Sequence, residues 1–361
     1  MKVLFVSSTL TSGGSERVIS LIANHMAEKG HEVEIVCLLE PIVFYPLHPA
    51  VKVSFAEKEI MHKSLPSRML WLRRHVKKTH PDVVLSFMIL VYITTLFALM
   101  GVKVPIITSE RNDPASFSWW KKALRRVLLP RTTCHVVQTQ KIKDYYTEDI
   151  KKKTVIIGNP VTNQVFDVEP VEKKDVMINV ARLFPQKNQK MLIRAFNSIK
   201  DQIPTYQLRI YGEGPERQSL QLLIDNLQLT DRVELCGRSE KVLDEMNASR
   251  IFVMSSNHEG LSNAMIEAIC IGLPIVSTKV SGTEELIEEG RNGLMTDVGD
   301  EQQLADALLR LAKDEALQRS MGKHNKENAK RFKESEVLRQ WETLICKFQG
   351  KKSTDFMDSK D

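Results

Sequence analysis

Short apolar runs alternate along this chain with longer stretches at helical spacing. Val3–Val6 leads through a polar turn to a helix over Val18–Lys29. Val83–Phe87, a helix over Leu90–Met100 and a strand over Pro105–Thr108 repeat the rhythm, which runs on to Val155–Gly158. A polar, proline-bearing connector follows, from Asn159-Pro160 to Lys174. The second half resumes with strands at Val176–Ala181, Tyr206–Tyr211, Arg232–Cys236, Ile251–Ser256 and Pro274–Thr278. Helices fall at Met191–Ile199 and Ala264–Cys270, and a long helical region, Glu301–Lys347, closes the chain. Strands that are apolar throughout belong to parallel sheets covered on both faces. The pattern predicts an α/β protein of two doubly wound domains.

Length and composition agree with that division. A chain of 361 residues, 42% of them apolar, exceeds what one core usually holds and can fill two. Cys37, Cys134, Cys236, Cys270 and Cys346 show neither disulfide nor metal spacing and sit mostly in apolar runs. They read as reduced thiols, which points to the cytosol. Met1-Lys2-Val3 enters a strand directly, so no secretory leader is expected. The nineteen residues Val83–Gly101 carry no charge and are long enough to span a bilayer, but they divide into strand and helix, the first parts of a βαβ unit.

Charge is uneven. Residues 1–160 hold 23 Lys and Arg against 13 Asp and Glu, whereas the remainder hold 28 against 32. The excess gathers in Arg68–Lys78, which contains Trp71, and in Trp119–Leu129, with Trp119, Trp120, Lys121, Lys122, Arg125 and Arg126. Basic amphipathic helices of this kind lie on anionic membrane surfaces, so peripheral attachment to the inner face of the cell membrane is expected, mainly through Trp119–Leu129. No zinc, RRM or helix-turn-helix pattern supports a nucleic-acid partner.

Candidate chemistry concentrates in strand-to-helix loops. Glu259 follows the strand Ile251–Ser256, and Glu267, about two turns inside the next helix, is separated from it by seven residues. Arg182 ends the strand Val176–Ala181, with Lys187-Asn188 close behind. Two cations in one such loop can grip a diphosphate, Arg as a fork and Lys as a point charge. Gly13-Gly14, in Thr11-Ser12-Gly13-Gly14-Ser15-Glu16-Arg17, allows close backbone approach to a ligand. The dinucleotide fingerprint G-x-G-x-x-G is missing there, which argues against a nicotinamide enzyme. His258, beside Glu259, is the one histidine expected near the site, and no Asp-x-Asp occurs to hold a metal.

With Ala181-Arg182-Leu183, Tyr211-Gly212-Glu213-Gly214-Pro215, Glu259 to Glu267 and Ser281-Gly282-Thr283-Glu284-Glu285-Leu286-Ile287, the chain resembles the retaining glycosyltransferases of family 4 from Met1 to about Phe348. The resemblance implies the GT-B fold, with two Rossmann-like domains facing a central cleft. It implies an acceptor-binding domain over 1–165 and a nucleotide-sugar domain over 170–335. It also implies a returning helix over 336–350, while the polar residues 351–361 read as a flexible tail. By that resemblance Arg182, Lys187 and Glu259 carry the reaction. Arg182 and Lys187 bind the donor diphosphate, Glu259 contacts the sugar and Glu267 the ribose. Gly13, Gly14, Gly212, Leu261, Ser262 and Asn263 complete the donor site. In the first half, Ser109-Glu110-Arg111-Asn112-Asp113 places Arg111 where many relatives have a histidine beside the sugar.

The expected reaction is retaining, metal-independent transfer of a hexose or N-acetylhexosamine from a UDP-sugar, without cofactor. The expected acceptor is a lipid-linked saccharide in bacterial surface-polysaccharide or glycan assembly. Alternatives are a UDP-sugar epimerase or soluble-acceptor transferase of the same fold, and a non-catalytic nucleotide-sugar-binding partner.

Overall fold

The computed structural model describes residues 1–11 and 13–349; the tail expected over 351–361 lies outside the described residues. The chain divides into two compact units, one of Met1–Pro160 with the chain from Ser335 onward, the other of Val161–Glu334. In the first, strands β1 (Lys2–Ser7), β2 (Glu32–Cys37), β3 (Val51–Phe55), β4 (Val83–Phe87), β5 (Ile106–Ser109), β6 (Cys134–Val137) and β7 (Thr154–Ile156) form one sheet. Its order is β3-β2-β1-β4-β5-β6-β7, with every pairing parallel. In the second, β8 (Lys174–Val180), β9 (Gln207–Tyr211), β10 (Val233–Gly237), β11 (Ser249–Met254), β12 (Ile275–Thr278) and β13 (Gly293–Thr296) follow the order β10-β9-β8-β11-β12-β13.

Both sheets are covered on each face, which explains strands without polar alternation. In β1, Val3 and Phe5 enter one apolar cluster and Leu4 and Val6 another. In β8, Met177 and the pair Val176 and Ile178 divide in the same way. The last helix, Glu334–Cys346, buries Val337, Leu338, Trp341, Leu344 and Ile345 in the cluster that contains Phe5. The helical region before it is not continuous. Asp314 ends the helix Glu301–Lys313 and caps Glu315–Asn328, its carboxylate accepting from the Leu317 N–H at 2.8 Å.

The uncharged run Val83–Gly101 folds as β4 and a helix over Ile89–Ala98. Among the described residues no helix is long and apolar enough to cross a membrane. The two basic stretches differ from each other. In the helix Leu65–Thr79, Trp71 is buried, stacks on His75 and donates to Glu59 at 2.9 Å, while Arg68 pairs with Glu57. This tryptophan packs the core rather than meeting a surface. In the helix Trp119–Leu128, Trp119 is 81% exposed, and Trp120, Leu124 and Val127 are exposed beside it. Arg125 corrects the expectation of four surface cations there. It is buried, its guanidinium 5.9 Å from the Phe117 ring, 5.0 Å from Tyr145 and 5.3 Å from Tyr146.

Candidate active site

In an open parallel sheet the strand order reverses at one point, and ligands bind outside the carboxyl ends of the strands that flank it. In the second unit these strands are β8 and β11. The loop after β8 carries Arg182 and Lys187, and the loop after β11 carries Glu259. Neighbouring strands therefore bring together residues more than seventy positions apart. The Lys187 ammonium donates to Oε2 of Glu259, and both side chains are largely buried.

Further bonds clasp the two loops. The Asn257 N–H donates to the Gln186 carbonyl at 2.8 Å, and the Gln186 amide donates to the His258 carbonyl at 2.7 Å. Ser255 Oγ donates to the Lys187 carbonyl at 2.9 Å, and Asn188 Nδ2 to Asn257 Oδ1 at 3.0 Å. Asn188 occupies the left-handed region at φ 49°, where the chain turns into the helix Gln189–Ile199. Asn tolerates that conformation better than most residues, a local reason for Asn after Lys187. Arg182 is exposed, its guanidinium 5.0 Å from the Phe184 ring, and it makes no ion pair among the described residues.

Ser262 caps the helix Asn263–Ile271, its hydroxyl accepting from the Met265 N–H at 3.4 Å. The helix N-terminus thus begins beside Glu259, where its dipole favours an anion. Leu261 is buried and Asn263 is the first helical residue. Glu267 is the fifth, just over one turn in rather than two, and is buried. Two glycines hold neighbouring turns against this edge. Gly212 has φ +136°, and a Cβ there would lie 2.0 Å from the Ala181 carbonyl oxygen. Its observed role is to seat the turn after β9 against the chain entering Arg182. A Cβ on Gly282 would lie 1.9 Å from the Gly260 oxygen, so the segment Ser281–Leu286 packs closely on the Glu259 loop.

The first unit has its own reversal point, between β1 and β4. Gly13 precedes the helix Gly14–Glu28 there, and a Cβ on it would lie 2.1 Å from a Glu16 carboxylate oxygen. Glu16, held by the Ser15 hydroxyl at 2.6 Å, lies against Gly13, while Gly14 is exposed. Arg111 follows β5 and is buried. Beside it Glu110 accepts the Tyr92 hydroxyl at 2.9 Å and the Arg111 N–H at 3.0 Å. Burial lifts Glu110 to about 7 against those bonds. Burial, aided by Arg125, draws His135 down to about 3.

Gln186, Asn257 and Glu16 had no signal in the periodicity, because loop polar residues look alike until the strands bring them together. Among the described residues no group of three or more His, Cys, Asp or Glu side chains is arranged to hold a metal ion.

Residues 161–328 match the family model described as Glycosyl transferases group 1, and residues 12–164 match Glycosyltransferase Family 4. The chain is 29% identical to the GalNAc-alpha-(1->4)-GalNAc-alpha-(1->3)-diNAcBac-PP-undecaprenol alpha-1,4-N-acetyl-D-galactosaminyltransferase of Campylobacter jejuni, across 97% of this chain and 99% of that one. It is 26% identical to the lipopolysaccharide core biosynthesis glycosyltransferase LpsE of Rhizobium meliloti, across 87% of this chain and 90% of that one. The structure of HepE from Anabaena in complex with UDP and glucose matches with a TM-score of 0.82 at 20% identity, covering 96% of this chain and 99% of that one. The fold is GT-B.

Proposed function

For a chain that belongs to the glycosyltransferases of family 4 type, with the GT-B fold, we propose retaining, metal-independent transfer of a hexose or N-acetylhexosamine from a UDP-sugar to a lipid-linked saccharide. The setting is bacterial surface-polysaccharide or glycan assembly, in keeping with the names of the Campylobacter and Rhizobium relatives. The Lys187–Glu259 pair at the reversal point of the second sheet carries this reading.

A carboxylate and an ammonium held together in one loop clasp can separate toward two parts of one ligand. Lys187 turns to the diphosphate and Glu259 accepts hydroxyls of the sugar. Arg182 supplies a fork to the diphosphate, and the helix after Ser262 adds its positive end. These groups stabilise charge that grows as the bond between the anomeric carbon and the diphosphate oxygen breaks. The acceptor oxygen bonds the anomeric carbon from the same face, and its proton passes to a phosphate oxygen. Glu267 holds the ribose.

The exposed Trp119, Trp120, Leu124 and Val127, with the cations Lys121, Lys122 and Arg126 of the same helix, meet an anionic bilayer at the cytoplasmic leaflet, which brings the enzyme to a lipid-linked acceptor. The test is turnover of UDP-sugars with a lipid-linked saccharide, with and without EDTA, and NMR of the product anomer. The proposal expects EDTA to leave the rate unchanged and the product to keep the donor's configuration. Activity lost to EDTA and restored by Mn²⁺ removes the metal-free part, and an inverted product removes retention.

A further inference from the structure

Arg111 is a buried cation whose guanidinium makes no ion pair among the described residues. It is 8% exposed, and its guanidinium packs 5.7 Å from the Phe87 ring centroid and 5.9 Å from that of Trp341. Nη1 donates to the Ile157 carbonyl at 3.4 Å. Nε and Nη2 are buried with no hydrogen-bond partner, and so is the Trp341 indole nitrogen. Those two guanidinium nitrogens form the side-on fork that grips two oxygens of one carboxylate or phosphate.

The adjacent carboxyl does not serve that fork. Glu110 Oε2 accepts the Tyr92 hydroxyl, and Oε1 accepts the backbone N–H groups of Arg111 at 3.0 Å and Asn112 at 3.3 Å. Burial draws the Arg111 pKa down to about 9. The aromatic faces offset part of the cost of a buried charge, but they leave its N–H donors unmatched.

Resting on the transferase reading above, the geometry points to Arg111 as a binding residue for a phosphate oxyanion of a substrate diphosphate, held side-on by Nε and Nη2. A sugar hydroxyl offers one neutral oxygen, whereas a diphosphate offers the paired anionic oxygens that the fork fits. The diphosphate comes either from the nucleotide of the donor or from a lipid diphosphate of the acceptor.

The test titrates the full chain and its Arg111→Lys and Arg111→Met variants with UDP and, separately, with farnesyl diphosphate in neutral detergent micelles, and follows thermal unfolding without ligand. Arg111→Met is expected to melt no lower than the parent, because it removes a buried charge that makes no ion pair. Each variant is expected to lose about tenfold or more in affinity for one probe, since a charge-assisted bidentate contact is gone. Loss confined to UDP assigns the donor, and loss confined to farnesyl diphosphate assigns the acceptor. Unchanged affinity for both probes overturns the proposal, whether or not the variants melt lower. If Arg111→Met does not fold, Arg111→Lys, which keeps the charge and loses the fork, decides by the same titrations. A parent that binds farnesyl diphosphate but not UDP contradicts the transferase reading while still testing Arg111. A parent that binds neither overturns both.

Discussion

At the carboxyl edge of the second sheet, Lys187 and Glu259 pair across two loops, with Arg182 in solvent beside them. At the same edge of the first sheet, Glu110 and Arg111 lie in the interior, with Arg125 among tyrosines close by. The two sheets reverse strand order at equivalent points, so topology alone does not decide what an edge does. The difference lies in access. Lys187 and Glu259, though largely buried, pair beside the solvent-exposed Arg182, whereas Glu110, Arg111 and Arg125 are tied to the groups packed on them. The second edge therefore suits a charged ligand that comes and goes. The first packs its guanidinium groups on aromatic rings and leaves two nitrogens of Arg111 and one of Arg125 without an acceptor.

The largest effect should follow from removing a cation at the second edge. Arg182→Met or Lys187→Met is expected to slow transfer by about a hundredfold or more, on the order of 2–4 kcal/mol, because each contact strengthens as the diphosphate departs. Steady-state rates with saturating donor check this. Near-parental turnover in either variant would break the contrast between the two edges.

The first edge should answer to pH. Glu110 is raised from 4.5 to about 7 by burial, so it favours the folded state while protonated. Its contribution is full below pH 4.5 and is lost as pH rises through 7. Glu110→Gln should gain on the parent over that range by about 2–3 kcal/mol in denaturant unfolding. His135, depressed from 6.5 to about 3, acts on the acid side, where stability is lost as pH falls below 6.5, and both proteins share it. Parallel stability curves for parent and variant would contradict the assignment.

Smaller effects should come from the helix Trp119–Leu128. Changing Lys121, Lys122 and Arg126 to Gln should weaken sedimentation with anionic vesicles by about 1 kcal/mol per cation while sparing donor hydrolysis. Salt should release the parent, because surface attraction is screened beyond about 10 Å at 0.1 M. Arg125→Gln should leave vesicle binding unchanged and lower the melting temperature, since Arg125 packs against aromatics. Equal vesicle binding by the triple variant and its parent would make this face an ordinary solvated helix.

Much of the fold was legible because buried parallel strands announce themselves as unbroken apolar runs. Val83–Phe87 falls on β4 residue for residue, and the strand expected at Val176–Ala181 overlaps β8. Side-chain direction was harder to read. Lys121, Lys122, Arg125 and Arg126 have one composition and one helix, yet only Arg125 turns inward, because Tyr145 and Tyr146 arrive from a later segment. Trp71 misleads in the same way until Glu59 and His75 meet it. At the second edge the charged residues stood out, since Arg, Lys and Glu in strand-to-helix loops are suited to anions and sugars. Their mutual contact did not, because pairing across β8 and β11 depends on strand order, which no local pattern encodes.

Calorimetric titration of UDP into the parent, Glu259→Ala and Glu267→Ala tests the central claim most directly. The account places the sugar on Glu259 and the ribose on Glu267 at the reversal point of the second sheet. It predicts UDP affinity that is unchanged or tighter in Glu259→Ala, where Lys187 is released from its partner, although transfer is lost. It predicts affinity about tenfold weaker in Glu267→Ala, the cost of one hydrogen bond to a charged group. UDP affinity lost in both variants, or kept in both, would contradict it.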